Sequence, residues 1–152
     1  MRVSGRADAA ALVSAFAAGI LSNTGNNACV HNQGGMLENI GATVAVNDML
    51  LQSHGGVMRF FPVWDAAVGA AAFSTLRAYG AFLVSAAIDA SGVVSPVALS
   101  AEVGGDVVFE SPWAGTPEVV DAAGAAVPVV AAGAGRFAFA SAAGGAYTIR
   151  QG

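Results

Sequence analysis

Apolar and polar positions along this chain follow two rhythms, and the change falls near residue 56. From Val57 onward the period is two: VMRFFPV (57–63), FLVSAAID (82–89), VVSPVALSA (93–101), DVVFES (106–111), AVPVV (126–130), RFAFAS (136–141) and AYTIR (146–150). Successive side chains of a strand point to opposite faces, so each segment is predicted to be a short strand with one buried face. Turn formers separate them at Ala90-Ser91-Gly92, Gly104-Gly105, Pro112 to Pro117 and Gly144-Gly145. Many short strands punctuated in this way imply a β-sandwich.

Ahead of residue 57 the period is helical. Ala7 to Leu21 and about Ile40 to Ser53 are the two helix candidates, joined by a polar Asn/Gly loop from Ser22 to Gly35. In the second, Ile40, Val44 and Leu51 mark an apolar stripe that Val46 and Leu50 widen, and Gly55 supplies a left-handed stop. The uncharged run Ala9 to Leu21 is thirteen residues long, too short to span a bilayer, which needs about 20. It fits either a packed helix, with Leu12, Phe16, Gly19 and Ile20 at helical spacing, or a signal peptide behind Arg2 and Arg6. Asp8 at its entrance and the lack of a small-x-small cleavage site favour the packed helix. The fold class expected is therefore α+β, with residues 1–56 helical and residues 57–152 a small antiparallel β-sandwich.

Composition limits the chemistry. The 152 residues are long enough to bury a core. They are 55% hydrophobic and only 11% charged, too apolar for disorder and poor in charge for a free-standing surface. All six basic residues are arginines and the net charge is −4, so no basic stripe exists to neutralise phosphates, and nucleic acid is not an expected partner. Without lysine, neither a Walker phosphate loop nor Schiff-base chemistry is available. Cys29 and His31 make a Cys-x-His pair, but His54 is the only other imidazole and a closed zinc site needs about four ligands. No metal, cofactor or membrane is expected.

Two apparent motifs fail on context. GAGRFA (133–138) matches a dinucleotide fingerprint, yet that fingerprint needs a helix after its glycines and an alternating Phe-Ala-Phe strand follows, so it is expected to be a hairpin turn. Serine, histidine and aspartate are present, but no Gly-x-Ser-x-Gly elbow is.

The stretch ATVAVNDMLLQSHGGVMRFFPVW, followed by LRAYGAFLVSA, resembles the end of the catalytic region of glycoside hydrolase family 95, the α-L-fucosidase and α-galactosidase family. The elements that carry it are Met49 to His54, Phe61 to Trp64 and Leu76 to Phe82; PWAG (112–115) and RFAFASAAGGAYTI fit more loosely. The resemblance implies that the helical part is the last helices of an (α/α)6 barrel and the rest a C-terminal β domain. It also implies a catalytic carboxylate in an Asp-Gly-Asn-Phe-Gly-Ala-Thr segment that activates water together with asparagine. Asn39, Gly41, Ala42 and Thr43 match that segment; Leu37 stands at the aspartate position and Glu38 at the next. Glu38 is the expected substitute, with Asn39 beside it. A carboxylate near a helix N-terminus is favoured in its ionised form, which suits a base. His31 and Asn32, on the preceding loop, are candidate donors to sugar hydroxyls.

Inverting hydrolysis uses two carboxyl groups about 6.5–9.5 Å apart. The general acid, as the resemblance implies, lies on an earlier barrel helix upstream of Met1, so the chain alone is expected to be inactive. Its expected partners are the remainder of the barrel and an oligosaccharide or glycan. Structural alternatives stand beside each role: Glu38 as a helix-dipole partner, Asn39 as an N-cap, His31 as a loop residue, and Trp64, Trp113, Tyr79 and Tyr147 as core rather than sugar-stacking aromatics. A non-catalytic β-sandwich accessory or glycan-binding module, and a secreted structural domain with residues 1–21 as its signal, are the alternative functions.

Overall fold

The structure is a computed structural model that describes residues 36–152 and, ahead of them, Ala11, Ala15 and Ala18, each helical. Helix α1 (Met36–Leu50) leads into β1 (Leu51–Gln52), β2 (Met58–Phe60), β3 (Ala71–Ala78), β4 (Phe82–Ile88), β5 (Val97–Ala101) and β6 (Gly105–Glu110). Then follow β7 (Pro117–Asp121), β8 (Ala126–Val127), β9 (Val130–Ala131), β10 (Arg136–Ser141) and β11 (Ala146–Gln151). One sheet runs β1-β2-β6-β10-β9 and the other β3-β4-β5-β11-β7-β8.

Alternation makes the core. In β4, Phe82, Val84, Ala86 and Ile88 are buried while the residues between them are half-buried, and in β5 Val97, Leu99 and Ala101 alternate with exposed positions. These face Met58, Phe60, Val107, Phe109 and Phe139 of the other sheet in one cluster. Phe109 is its centre, with the Phe60, Phe137 and Phe139 rings 6.3, 6.2 and 6.4 Å away. Phe139 meets Tyr147 of the opposite sheet at 5.2 Å, a contact that joins the two layers. Fully burying such a side chain stabilises the fold by about 1.5–3 kcal/mol.

Pairing is antiparallel except between β2 and β6, where Met58 faces Phe109 and Arg59 faces Glu110 in parallel. A parallel pair needs a long crossover. Here the crossover is β3, β4 and β5 of the second sheet, so the chain leaving α1 enters one layer, builds half of the other, and returns.

The α+β class expected from the sequence is overturned: the described residues form eleven strands in two sheets, α1 is the one α-helix described from end to end, and no stack of barrel helices is among them. The physical reason lies in α1. Among its described side chains Val44 is 54% and Val46 41% exposed, while Met49 and Leu50 at its end are packed in hydrophobic clusters. Apolar burial is concentrated between the sheets. The helix also ends at Leu50 rather than Ser53, because Leu51 and Gln52 pair with Phe60 and Arg59. The candidate helix over Ala7 to Leu21 lies outside the described residues apart from its three alanines.

Four expected strands are met closely by β4, β6, β10 and β11. The segment 93–101 narrows to β5, which starts only after Pro96, and 126–130 splits at Pro128 into β8 and β9; proline has no N–H to give a ladder. GAGRFA is the β9–β10 turn, closed by the Arg136 N–H donating to the Gly133 carbonyl at 3.1 Å. Two longer strands, β3 and β7, had no clear alternation to show them.

β3 hides its pattern with a bulge. Between Phe73 opposite Ala86 and Leu76 opposite Val84, Ser74 and Thr75 face the single Ser85, which throws the alternation out of step. Thr75 sits at φ 55, a costly region for a β-branched residue, and its N–H is held by the Ser85 hydroxyl oxygen at 2.9 Å. The bulge also disrupts a long edge strand that could otherwise pair with another chain. Thr75→Gly should remove a left-handed penalty of about 1–2 kcal/mol while adding roughly 0.5–1 kcal/mol of chain entropy, a net gain of up to about 1.5 kcal/mol. Ser85→Ala should lose about 1 kcal/mol by freeing that N–H. Urea unfolding of the two variants reads both signs.

Candidate functional site

The passage from helix to sandwich creates the site. The Leu50 carbonyl accepts the Phe61 N–H at 2.8 Å, and Leu51 and Gln52 pair across to Phe60 and Arg59. The chain therefore reverses within Ser53 to Val57, through a tight turn at His54–Gly56 in which Gly55 and Gly56 take φ 70 and 74. Those values suit glycine, which has no Cβ to clash. Gln52 is 2% exposed, and its side-chain amide donates to the Asp48 carbonyl at 2.9 Å. That carbonyl is one of the last four that a helix leaves without an internal partner.

A second chain segment is tied to this turn. The Ser53 hydroxyl oxygen accepts the Tyr79 N–H at 3.0 Å, across 26 positions of sequence. Tyr79, Gly80 and Ala81 form the β3–β4 turn, with φ 88 at Gly80 and 60 at Ala81. The turn holds Tyr79 outward, 73% exposed.

Between these pieces lies a cleft of about 420 Å³, within the roughly 300–1,000 Å³ of small-molecule pockets. The end of α1 contributes Asn47 and Asp48, the reversal contributes Leu51, Ser53 and His54, and β3 and its turn contribute Leu76, Arg77 and Tyr79. Asp48 already has a partner within the protein. Arg77 is bound in a fork by Glu102: Nη1 meets Oε2 closely and Nη2 donates to Oε1 at 3.1 Å. That hydrogen bond, more than the charge itself, raises the Arg77 pKa, and the same bond holds the Glu102 carboxyl below its usual range. Every described arginine is paired with a glutamate: Arg59 and Arg136 with Glu110, Arg77 with Glu102, Arg150 with Glu118.

None of the residues singled out as a site from the sequence has a described side chain. Glu38 and Asn39 occupy the first turn of α1 by their backbone, and their side chains lie outside the described structure. His31 and Asn32 lie outside the described residues altogether. At about 1.5 Å per residue, ten residues separate Glu38 from Asp48 by roughly 15 Å along the helix. The cleft is thus distinct from the expected base.

Sequence reasoning grouped four aromatics and the structure divides them. The Trp64 indole N–H donates to the Gly69 carbonyl at 2.9 Å, and that of Trp113 to the Val94 carbonyl at 2.8 Å; both rings pack on the core. Tyr147 is buried, and its hydroxyl oxygen accepts the Ala142 N–H at 2.7 Å. Tyr79 alone of the four is presented to solvent. Missed altogether were Asn47, Ser53, His54 and Arg77 as one site. The signal for them was the pair of segments that carry the family resemblance, but joining them requires the Ser53–Tyr79 bond. Among the described residues no group of three or more histidine, cysteine or acidic side chains could hold a metal, and no helix is long and apolar enough to cross a membrane.

No protein-family model matches the chain, and no curated protein matches it significantly. Gln52→Leu should leave the Asp48 carbonyl without its buried donor at a cost of about 1–3 kcal/mol. The loss should appear as a lower unfolding midpoint together with a weaker helical signal in circular dichroism, because the bond ends α1.

Proposed function

We propose that the chain is part of a glycoside hydrolase of the α-L-fucosidase and α-galactosidase type, with a sandwich that anchors α1 and a helix start that carries the water-activating group. One observation supports this most. The three segments that carry the family resemblance, separated by 6 and 11 residues in sequence, come together at the junction. Met49 to His54 form the helix end and reversal; Phe61 bonds to Leu50 and stacks on Phe73 at 5.4 Å; Leu76 to Phe82 form the hairpin tied to Ser53.

In this reading Glu38, in the first turn of α1, accepts a proton from the attacking water, and Asn39 orients that water. The second carboxyl, which protonates the leaving oxygen about 6.5–9.5 Å away, belongs outside this chain. The alternative of a non-catalytic glycan-binding module draws on a different observation, the exposed Tyr79 beside a polar cleft.

Two measurements test the assignment. The isolated, purified chain should not hydrolyse aryl α-L-fucosides or α-galactosides, and turnover by it would show that both carboxyl groups are internal. In the complete enzyme, Glu38→Gln keeps size and hydrogen bonding but removes the base, so turnover should fall by about 10²–10⁴ with substrate binding little changed. Near-normal turnover with about 0.3–1 kcal/mol lost in stability would make Glu38 a helix-dipole partner only.

A further inference from the structure

We propose that the cleft between the end of α1 and the β3–β4 hairpin is a binding subsite for one neutral hexose unit of a glycan, remote from the bond that reacts. The inference rests on the glycoside-hydrolase assignment for its substrate class and on the cleft's own chemistry for its selectivity.

A hexose is uncharged, dense in hydroxyls that both donate and accept, and apolar on one ring face. The cleft offers a match to each property. Asn47 is exposed on the last turns of α1 and brings an amide that donates twice and accepts twice. The Ser53 oxygen accepts from the Tyr79 N–H, so its own O–H remains a donor. His54 lies on the same wall with one ring nitrogen to donate and the other to accept in its neutral form. The Tyr79 ring, 73% exposed at the tip of a turn, supplies a flat apolar surface that a sugar face would cover.

Charge discriminates among sugars. Arg77 is the cleft's arginine and both of its terminal nitrogens are engaged by Glu102. An acidic sugar would have to compete with a carboxylate already in place in a two-point fork, whereas a neutral sugar needs no cation. The walls are also fixed in advance. Gln52 ties the helix end to β1, and the Ser53–Tyr79 bond ties the reversal to the hairpin. Binding therefore spends little free energy on ordering the site.

The location sets the role. Roughly 15 Å of helix lies between Glu38 and the cleft, so the unit held here is not the one being cleaved. It belongs several units along the same glycan, where binding energy positions the chain for attack.

The test is a titration of the isotope-labelled chain, followed by NMR, with D-galactose and in parallel with D-galacturonate, which differs in carrying a carboxylate for the primary alcohol. Galactose should shift the signals of Asn47, Ser53, His54 and Tyr79 with a Kd on the order of 1–10 mM, and galacturonate should bind at least about fivefold more weakly. Tyr79→Ala and Asn47→Ala, both at exposed positions, should each weaken galactose binding by about five- to tenfold. Absence of these shifts at about 100 mM galactose, equal or tighter binding of galacturonate, or full binding by both variants would overturn the proposal. The outcome is separable from the assignment above. No galactose binding with a turnover that collapses in Glu38→Gln removes the cleft alone, whereas galactose binding with intact turnover in that variant keeps the cleft and removes the catalytic role of Glu38.

Discussion

One partly buried hydrogen bond connects the two kinds of structure among the described residues. Gln52 is the only polar side chain among the described residues that is buried, and its amide donates to the Asp48 carbonyl. A buried amide without a partner would cost about 1–3 kcal/mol, and so would the carbonyl. Satisfying both at once caps the helix end at Leu50, which the pairing of Leu51 and Gln52 with Phe60 and Arg59 sets. Everything near the cleft follows from that stop: the reversal at Gly55 and Gly56, the parallel entry of β2 beside β6, and the place where Ser53 meets Tyr79.

The apolar composition is distributed unevenly. Between the sheets it is consumed almost completely, with Val84, Val97, Val107, Phe109, Val119 and Ile149 losing essentially all solvent contact. On α1 it is not, since Val44 and Val46 remain exposed. Charge shows the reverse economy: the few described arginines are each matched by a glutamate, and the Arg59 and Arg136 pairs share Glu110 where β2, β6 and β10 run side by side. Exposed ion pairs contribute at most about 1 kcal/mol, so the sheets are held by their interior, and the pairs align strands that the interior has already paired.

How far the sequence could be read depended on whether structure was written locally. β4, β6, β10 and β11 were legible because period-two alternation is a local signal, and the glycine turns between them are local too. β3 was not, because Ser74 and Thr75 oppose one residue and shift the alternation; nor was β7, whose PEVVD carries a proline and two acids. The helix was expected three residues too long because Leu51 and Gln52 suit a helix by propensity and are claimed by Phe60 and Arg59 through tertiary pairing. The fold class went wrong for the same kind of reason: two helical patterns in the first third of the chain were made to define the class, whereas the described residues bury their core between sheets. Glu38 and Asn39 were singled out only through a resemblance, and the cleft was invisible because the residues that form it lie on segments joined by a bond across 26 positions.

Backbone strain gives this junction its remaining character. The described non-glycine residues with positive φ are Phe61, Thr75 and Ala81, at 51, 55 and 60°. Each such conformation costs on the order of 1–3 kcal/mol and persists only where its surroundings hold it. All three lie on the path between the reversal after α1 and the hairpin that presents Tyr79. Phe61 is held by burial, by its N–H on Leu50 and by its ring on Phe73; Thr75 is held by Ser85; Ala81 has its carbonyl bonded by the Glu102 N–H at 3.0 Å. Glu102 is also the residue that fixes Arg77, so one residue steadies both the strained turn and the charge in the cleft.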